Sequence, residues 1–123
     1  MRMPSRERVL AFIERVVSGD HVGAIEDFYT EDASMQENGN PPRLGRALLV
    51  EHEKKALARV AEMRTLPVDH FGIDGDTVFI HWIFDMVARD GTIRRLDEIA
   101  MQQWRGDRIF RESFYYDPAQ LKS

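Results

Sequence analysis

Cysteine is absent from the 123 residues, which excludes disulfides, thiolate nucleophiles and thiolate-held zinc. Long apolar runs are missing as well: no segment approaches the ~18 residues that a membrane-spanning helix needs. The opening MRMPSRERVL lacks the apolar stretch of a signal peptide, so a cytoplasmic location without membrane attachment is expected. An excess of positive charge is also lacking. Seventeen Lys and Arg against 21 Asp and Glu leave a net charge of −4, with the basic residues scattered among acidic ones. Nucleic-acid binding rests on clustered cations that neutralise phosphates, so that class of partner is not expected. Glycine-rich phosphate loops do not occur. The four histidines, His21, His52, His70 and His81, show neither His-x-x-x-His nor HExxH spacing. His52 and Glu53 are adjacent, hence about 100° apart on a helix and a poor chelate. Neither a metal nor a cofactor is expected.

What remains is the composition of an ordinary globular protein, 43% hydrophobic and 31% charged. The length suits one domain spanning 1–123, with no repeat, linker or low-complexity tract to divide it. Such a chain buries roughly two-thirds of its unfolded surface. Helices come first. Val9, Phe12, Ile13, Val16 and Val17 fall at i, i+3, i+4, i+7 and i+8, giving a helix over 5–18 with one apolar stripe. Gly19 ends it, and Asp20 caps a second helix over 21–29, buried through Val22, Ile25, Phe28 and Tyr29. Thr30-Glu31-Asp32 breaks the pattern before a short strand over 33–37, and Asn38-Gly39-Asn40-Pro41-Pro42 is a loop. After Gly45 the longest helix is expected over 46–64, with Leu49, His52, Ala56, Val60 and Met63 on one side and His52 its only polar member.

Strands follow: 65–73, then 77–89 as the longest. Val78, Ile80, Trp82, Phe84, Met86 and Ala88 form an unbroken apolar face, which needs a helix over it. The opposite face mixes Phe79, Ile83 and Val87 with His81 and Asp85, a partial cover that suggests a homodimer interface. The stretch RLDEIAMQQWRGDRIFRESFYYDP (95–118) closes the chain as two long strands about a Gly106-Asp107 turn. Helices followed by antiparallel strands make an α+β layout. A strongly curved sheet against the long helix would leave a cavity at its concave centre.

The helix ending in Gly19-Asp20, the segment FYTEDASM, the loop closing on PPRLG and the terminal WRGDRIFRESFYYDP together resemble the nuclear-transport-factor-like superfamily. More narrowly, nearly the whole chain resembles its SnoaL-like branch. The resemblance implies a cystatin-like cone of curved antiparallel sheet around an apolar pocket, commonly dimeric. Relatives include ketosteroid isomerases, polyketide cyclases, hydratases, epoxide hydrolases and non-catalytic binders, so fold alone leaves function open. Carried over by position, the isomerase-type general base falls on Glu37, and the pocket residue seven after the helix-opening glycine is His52. The isomerase's tyrosine donor matches Ala11, and its strand acid matches Ala100. The usual isomerase oxyanion hole is therefore missing. The acid left nearby is Glu98, two residues earlier on the same strand face.

Which acid faces the pocket depends on one turn. A two-residue Asp90-Gly91 turn places Asp97 on the Trp82 face; a three-residue Arg89-Asp90-Gly91 turn places Glu98 there. The second arrangement also brings Trp104 to that face, which favours Glu98. Two function classes follow. One is a cofactor-independent isomerase, cyclase or hydrolase/hydratase acting on a small apolar molecule with a carbonyl, epoxide or enol, with His52 and Glu98 moving a proton and Glu37 assisting. Trp82, Phe84, Met86, Gln102, Trp104, Glu112, Phe114 and Tyr116 would form the ligand pocket. The other is a non-catalytic ligand-binding or dimeric scaffold protein with the same pocket, in which His52 is a packed interface histidine and Glu98 a salt-bridge partner of Arg94 or Arg95.

Overall fold

The computed structural model describes residues 3–122. Helix α1 (Arg6–Val17) starts where Ser5 accepts a hydrogen bond from the Arg8 amide at 3.0 Å, and it buries the expected Val9, Phe12, Ile13 and Val16. Gly19 turns the chain with φ of 98°, and the Asp20 side chain caps α2 (His21–Phe28) through the Gly23 amide. Helix α3 (Arg46–Ala58) completes the helical set. The strands are β1 (Tyr29–Glu37), β2 (Arg43–Leu44), β3 (Glu62–Thr65), β4 (Phe71–Asp74), β5 (Thr77–Val87), β6 (Ile93–Arg105) and β7 (Arg108–Tyr115). A final 3-10 turn spans Pro118–Leu121. No helix among the described residues is long and apolar enough to cross a membrane.

The seven strands form one curved, unclosed sheet ordered β2-β1-β7-β6-β5-β3, with β4 also on β5. The architecture is α+β. The sheet is mixed, not wholly antiparallel as expected, because β1 runs parallel to β7. Thr30-Glu31-Asp32 does not end β1. It is absorbed as a bulge: Tyr29 pairs with Ile109, yet Ser34 already pairs with Arg111.

The long helix stops six residues before the expected 64. The free edge of β5 competes for that segment: Ala61 donates to the Val87 carbonyl at 2.8 Å, and Glu62 to Thr65 pair with Val87 to Phe84. Helical propensity yields to a ladder of main-chain hydrogen bonds. The single strand expected over 65–73 is likewise two, because Pro67 has no amide to donate. Leu66 makes the last bond of the first piece, and His81 donates to the His70 carbonyl before β4 resumes on the same edge. The longest strand is β6, thirteen residues against eleven in β5.

Two hairpins fix the registers. Arg105 pairs with Arg108 across Gly106-Asp107. Ala88 donates to the Thr92 carbonyl at 2.8 Å, leaving Arg89-Asp90-Gly91 as a three-residue turn with Gly91 at φ of 90°. Trp82 therefore stands opposite Glu98, and Asp97 opposite Ile83 on the outer face. Glu98 and Trp104 share the inner face with Trp82. The outer face leaves Phe79, Ile99 and Tyr115 exposed among its charged residues.

The core centres on Phe12, whose ring meets Phe28, Tyr29, Trp82 and Trp104 edge-on at centroid distances of 5.4–6.1 Å. Helix α3 contributes little to it: Leu49 is its one buried residue at 1% exposure, whereas Leu48 is 50% exposed. Leu49→Ala should cost about 2–4 kcal/mol and Leu48→Ala less than about 0.5. Urea unfolding of both variants checks this, and equal losses would mean that α3 is rotated from the position described.

Candidate active site

A cavity of about 360 Å³ lies between the helices and the inner face of the sheet. Its wall is largely apolar: Phe12 and Val16 come from α1, Trp82, Phe84 and Met86 from β5, and Phe114 from β7. Trp82 and Phe84 stack at 5.7 Å, a continuous aromatic surface along one side. Val60 and Met63 reach the cavity too, from the turn and strand after α3 and not from the helix itself.

Two carboxyls project into these surroundings. Glu98, 7% exposed, makes no hydrogen bond among the described residues, and its carboxyl is turned to the cavity. Burial, reinforced by the negative charges of Glu112, Glu37 and Glu53, pushes its pKa up to about 8. The salt bridge considered for it does not form with Arg95, which lies on the outer face and pairs with Asp85 at 2.8 Å. The Arg94 guanidinium donates to the Leu121 carbonyl.

Glu112 is 1% exposed and lies at the end of a buried polar chain. The Trp104 indole donates to Gln102 Oε1 at 3.0 Å, and Gln102 Nε2 donates to Glu112 Oε2 at 2.6 Å. The Tyr29 hydroxyl donates to Glu112 Oε1. Burial raises the Glu112 pKa to about 7, against the opposing effect of those two hydrogen bonds. Burial and the adjacent Glu112 charge raise that of Tyr29 well above its ordinary value.

Glu37 differs. Burial works to raise its pKa, but hydrogen bonds from Tyr116 (2.7 Å to Oε1) and Arg43 (2.7 Å to Oε2) outweigh it and hold the carboxylate below its usual range. One carboxylate thus stays ionised at neutral pH and another stays protonated, around one cavity.

The three candidate catalytic residues all line this cavity, at different depths. Glu98 is inside, Glu37 is half-buried, and His52 is exposed on the rim. The polar member of the α3 stripe does not pack as a buried histidine, because the short helix turns only Leu49 fully inward. His52 makes no hydrogen bond among the described residues, and Glu98 does not orient it; its charge does act on Glu37. Of the expected pocket residues, Trp82, Phe84, Met86, Glu112 and Phe114 line the cavity. Gln102 and Trp104 are fully buried behind it, and Tyr116 supports Glu37 from outside the wall.

Five polar lining residues have no counterpart in the sequence-based site: His21, Tyr29, Arg43, Glu53 and Arg59. His21 is buried between Glu53 (3.3 Å from Nδ1) and Thr65 (2.8 Å from Nε2), and its ring meets Phe84 edge-on. Tyr29 carried a usable signal, since a tyrosine counted as buried needs a partner for its hydroxyl. Arg43 and Glu53 carried none, being charged residues in a loop and beside His52. Ala11, the position matched to the isomerase tyrosine, is exposed on the outer side of α1, and Ala100 is fully buried in the core.

The described residues thus form a half-open sheet with helices across its concave side and two acids facing a largely apolar cavity. The chain belongs to the SnoaL-like domain family, whose model matches residues 9–112. The comparison with curated proteins gives no match. Among solved structures, the chain is similar to a Mesorhizobium loti protein described as a SnoaL-like polyketide cyclase. That pair shares 22% identity over 89% of this chain and 97% of the other, with a TM-score of 0.75. It is also similar to TerC co-crystallised with polyporic acid, at 19% identity, 94% and 92% coverage and a TM-score of 0.78. An epoxide hydrolase of M. tuberculosis resembling the LEH type gives 15% identity, 93% and 83% coverage and a TM-score of 0.75. At such identities the likeness shows the shared fold.

The raised Glu98 pKa has a stability consequence. Between its ordinary value near 4.5 and about 8, the folded chain keeps a proton that the unfolded chain has released. Glu98 therefore lowers stability progressively as pH rises through that window, by on the order of 5 kcal/mol in full. Glu98→Gln should remove this loss, so its stability gain over the parent should be larger at pH 8.5 than at pH 4.5. Urea midpoints at both pH values test it; a difference that does not change with pH would show Glu98 to be solvated.

Proposed function

We propose that the chain is a cofactor-independent acid–base enzyme acting on a small, mainly apolar molecule that carries a carbonyl group. Isomerisation and cyclisation are the reaction types that this chemistry serves. The observation that carries the reading is the opposed protonation of Glu37 and Glu98 around one cavity. Groups whose surroundings drive their pKa values apart divide the work of base and acid.

Glu37, ionised and fixed by Tyr116 and Arg43, takes the proton from the carbon next to the carbonyl. Glu98, protonated and without a hydrogen-bond partner among the described residues, donates to the carbonyl oxygen as negative charge develops there. In this role it stands in for the tyrosine donor that Ala11 does not supply. His52 on the rim exchanges the proton gained by Glu37 with solvent. The stacked Trp82 and Phe84 supply a flat apolar surface for the ligand body. The crystallisation of the related TerC with polyporic acid is in keeping with an organic acid or ketone as ligand.

The chemistry can be tested before the natural substrate is known, by following hydrogen–deuterium exchange next to the carbonyl of small aromatic ketones by NMR in D2O. The chain should accelerate exchange. Glu37→Gln should reduce the rate at least about 100-fold and Glu98→Gln about 10- to 100-fold. The rate should fall above about pH 8 as Glu98 ionises, and Glu98→Gln should abolish that limb. Ketones that bind without exchanging, or exchange unaltered in both variants, would place the chain among non-catalytic ligand binders of this fold.

A further inference from the structure

The outer face of the sheet, opposite the cavity, gathers side chains that are far apart in sequence. His81 points outward from β5, and the segment before β4 brings Asp69 and His70 beside it, locked by the bond from the His81 amide to the His70 carbonyl at 3.0 Å. One ligand-capable atom each of Asp69, His70 and His81 lies within 4.8 Å of the others. We propose that these three residues bind a divalent transition-metal ion of the zinc class, with Asp97 orienting His81 from behind.

The distances favour chelation. Asp69 Oδ1 is 2.8 Å from His81 Nδ1, and Asp69 Oδ2 is 3.3 Å from His70 Nδ1. Ligand atoms bound to a tetrahedral zinc at about 2.0–2.1 Å lie roughly 3.3 Å apart, so Asp69 is at chelating distance from each histidine and a shift of the exposed His70 would close the remaining separation. His70 is exposed and can rotate onto the metal, and solvent would complete the shell. The second nitrogen of His81 is held by Asp97 Oδ1 at 2.7 Å. A carboxylate on the far nitrogen is what metal-bound histidines ordinarily have; it fixes the tautomer and strengthens the ring as a donor. Two imidazoles and one carboxylate suit zinc, nickel or copper and disfavour magnesium or calcium, which take oxygen ligands. The ion displaces the Nδ1 proton that His81 otherwise directs at Asp69, while the Nε2 proton stays directed at Asp97. The site is independent of the acid–base chemistry in the cavity, since it occupies the other face of the sheet.

Calorimetric titration of tag-free full-length chain with zinc chloride at pH 7.5 tests the proposal. One ion per chain is expected with micromolar affinity, and no binding heat with magnesium chloride. His81→Ala and Asp69→Asn should each weaken zinc binding at least 30-fold. Asp97→Asn, which leaves all three ligands in place, should weaken it about 10-fold. Asp69 is exposed, so its variant tests the site even if loss of His81 disturbs the sheet. Zinc affinity within twofold of the parent in both ligand variants, or far less than one ion per chain, would overturn it.

Discussion

The pairing of β5 with β6 is the constraint on which the rest of the molecule depends. Eleven successive residue pairs bind the two strands, and the three-residue turn at Arg89-Asp90-Gly91 sets their register. A shift of one residue would exchange the faces of every side chain on β6. Asp97 would then enter the hollow and Glu98 would meet water beside His81. Because side chains alternate, one turn decides both what lies inside the cavity and what is gathered on the outer surface.

The interior that results is expensive to maintain. Glu98 and Glu112 are withdrawn from water, and their ionised forms are penalised accordingly. The two are treated differently. Glu112 is held by Tyr29 and Gln102, and Gln102 in turn by Trp104, so its carboxyl is a fixed part of the wall. Glu98 has no such support among the described residues. Its carboxyl instead faces the cavity, where a ligand oxygen could meet it.

Much of this was visible in the sequence, where local chemistry decides the outcome. The stripe Val9-Phe12-Ile13-Val16, the Asp20 cap and the apolar face of β5 are read from spacing alone, and the structure contains them. The errors arise where distant segments compete. Residues 59–64 continue a helical pattern on paper, but the open edge of β5 draws them into a strand. His52 keeps its place on the cavity wall while losing the burial expected of it, because the shortened helix leaves it at the rim. His21 reads as the first residue of a capped helix, outside its expected buried side, and is buried against Glu53 and Thr65, 32 and 44 residues away. Asp69, His70 and His81 form no motif in one dimension, since a loop at the end of β3 creates their proximity.

The placement of the two tryptophans, the only ones in the chain, gives the fold a built-in optical reporter. Trp82 is part of the cavity wall, and Trp104 is sealed behind it at 0% exposure with its indole N–H tied to Gln102. An occupant would change the polarity around the first indole and leave the second almost undisturbed. Occupancy of the hollow thus becomes a fluorescence signal with its own internal reference, intrinsic to the native chain and independent of any assumption about turnover.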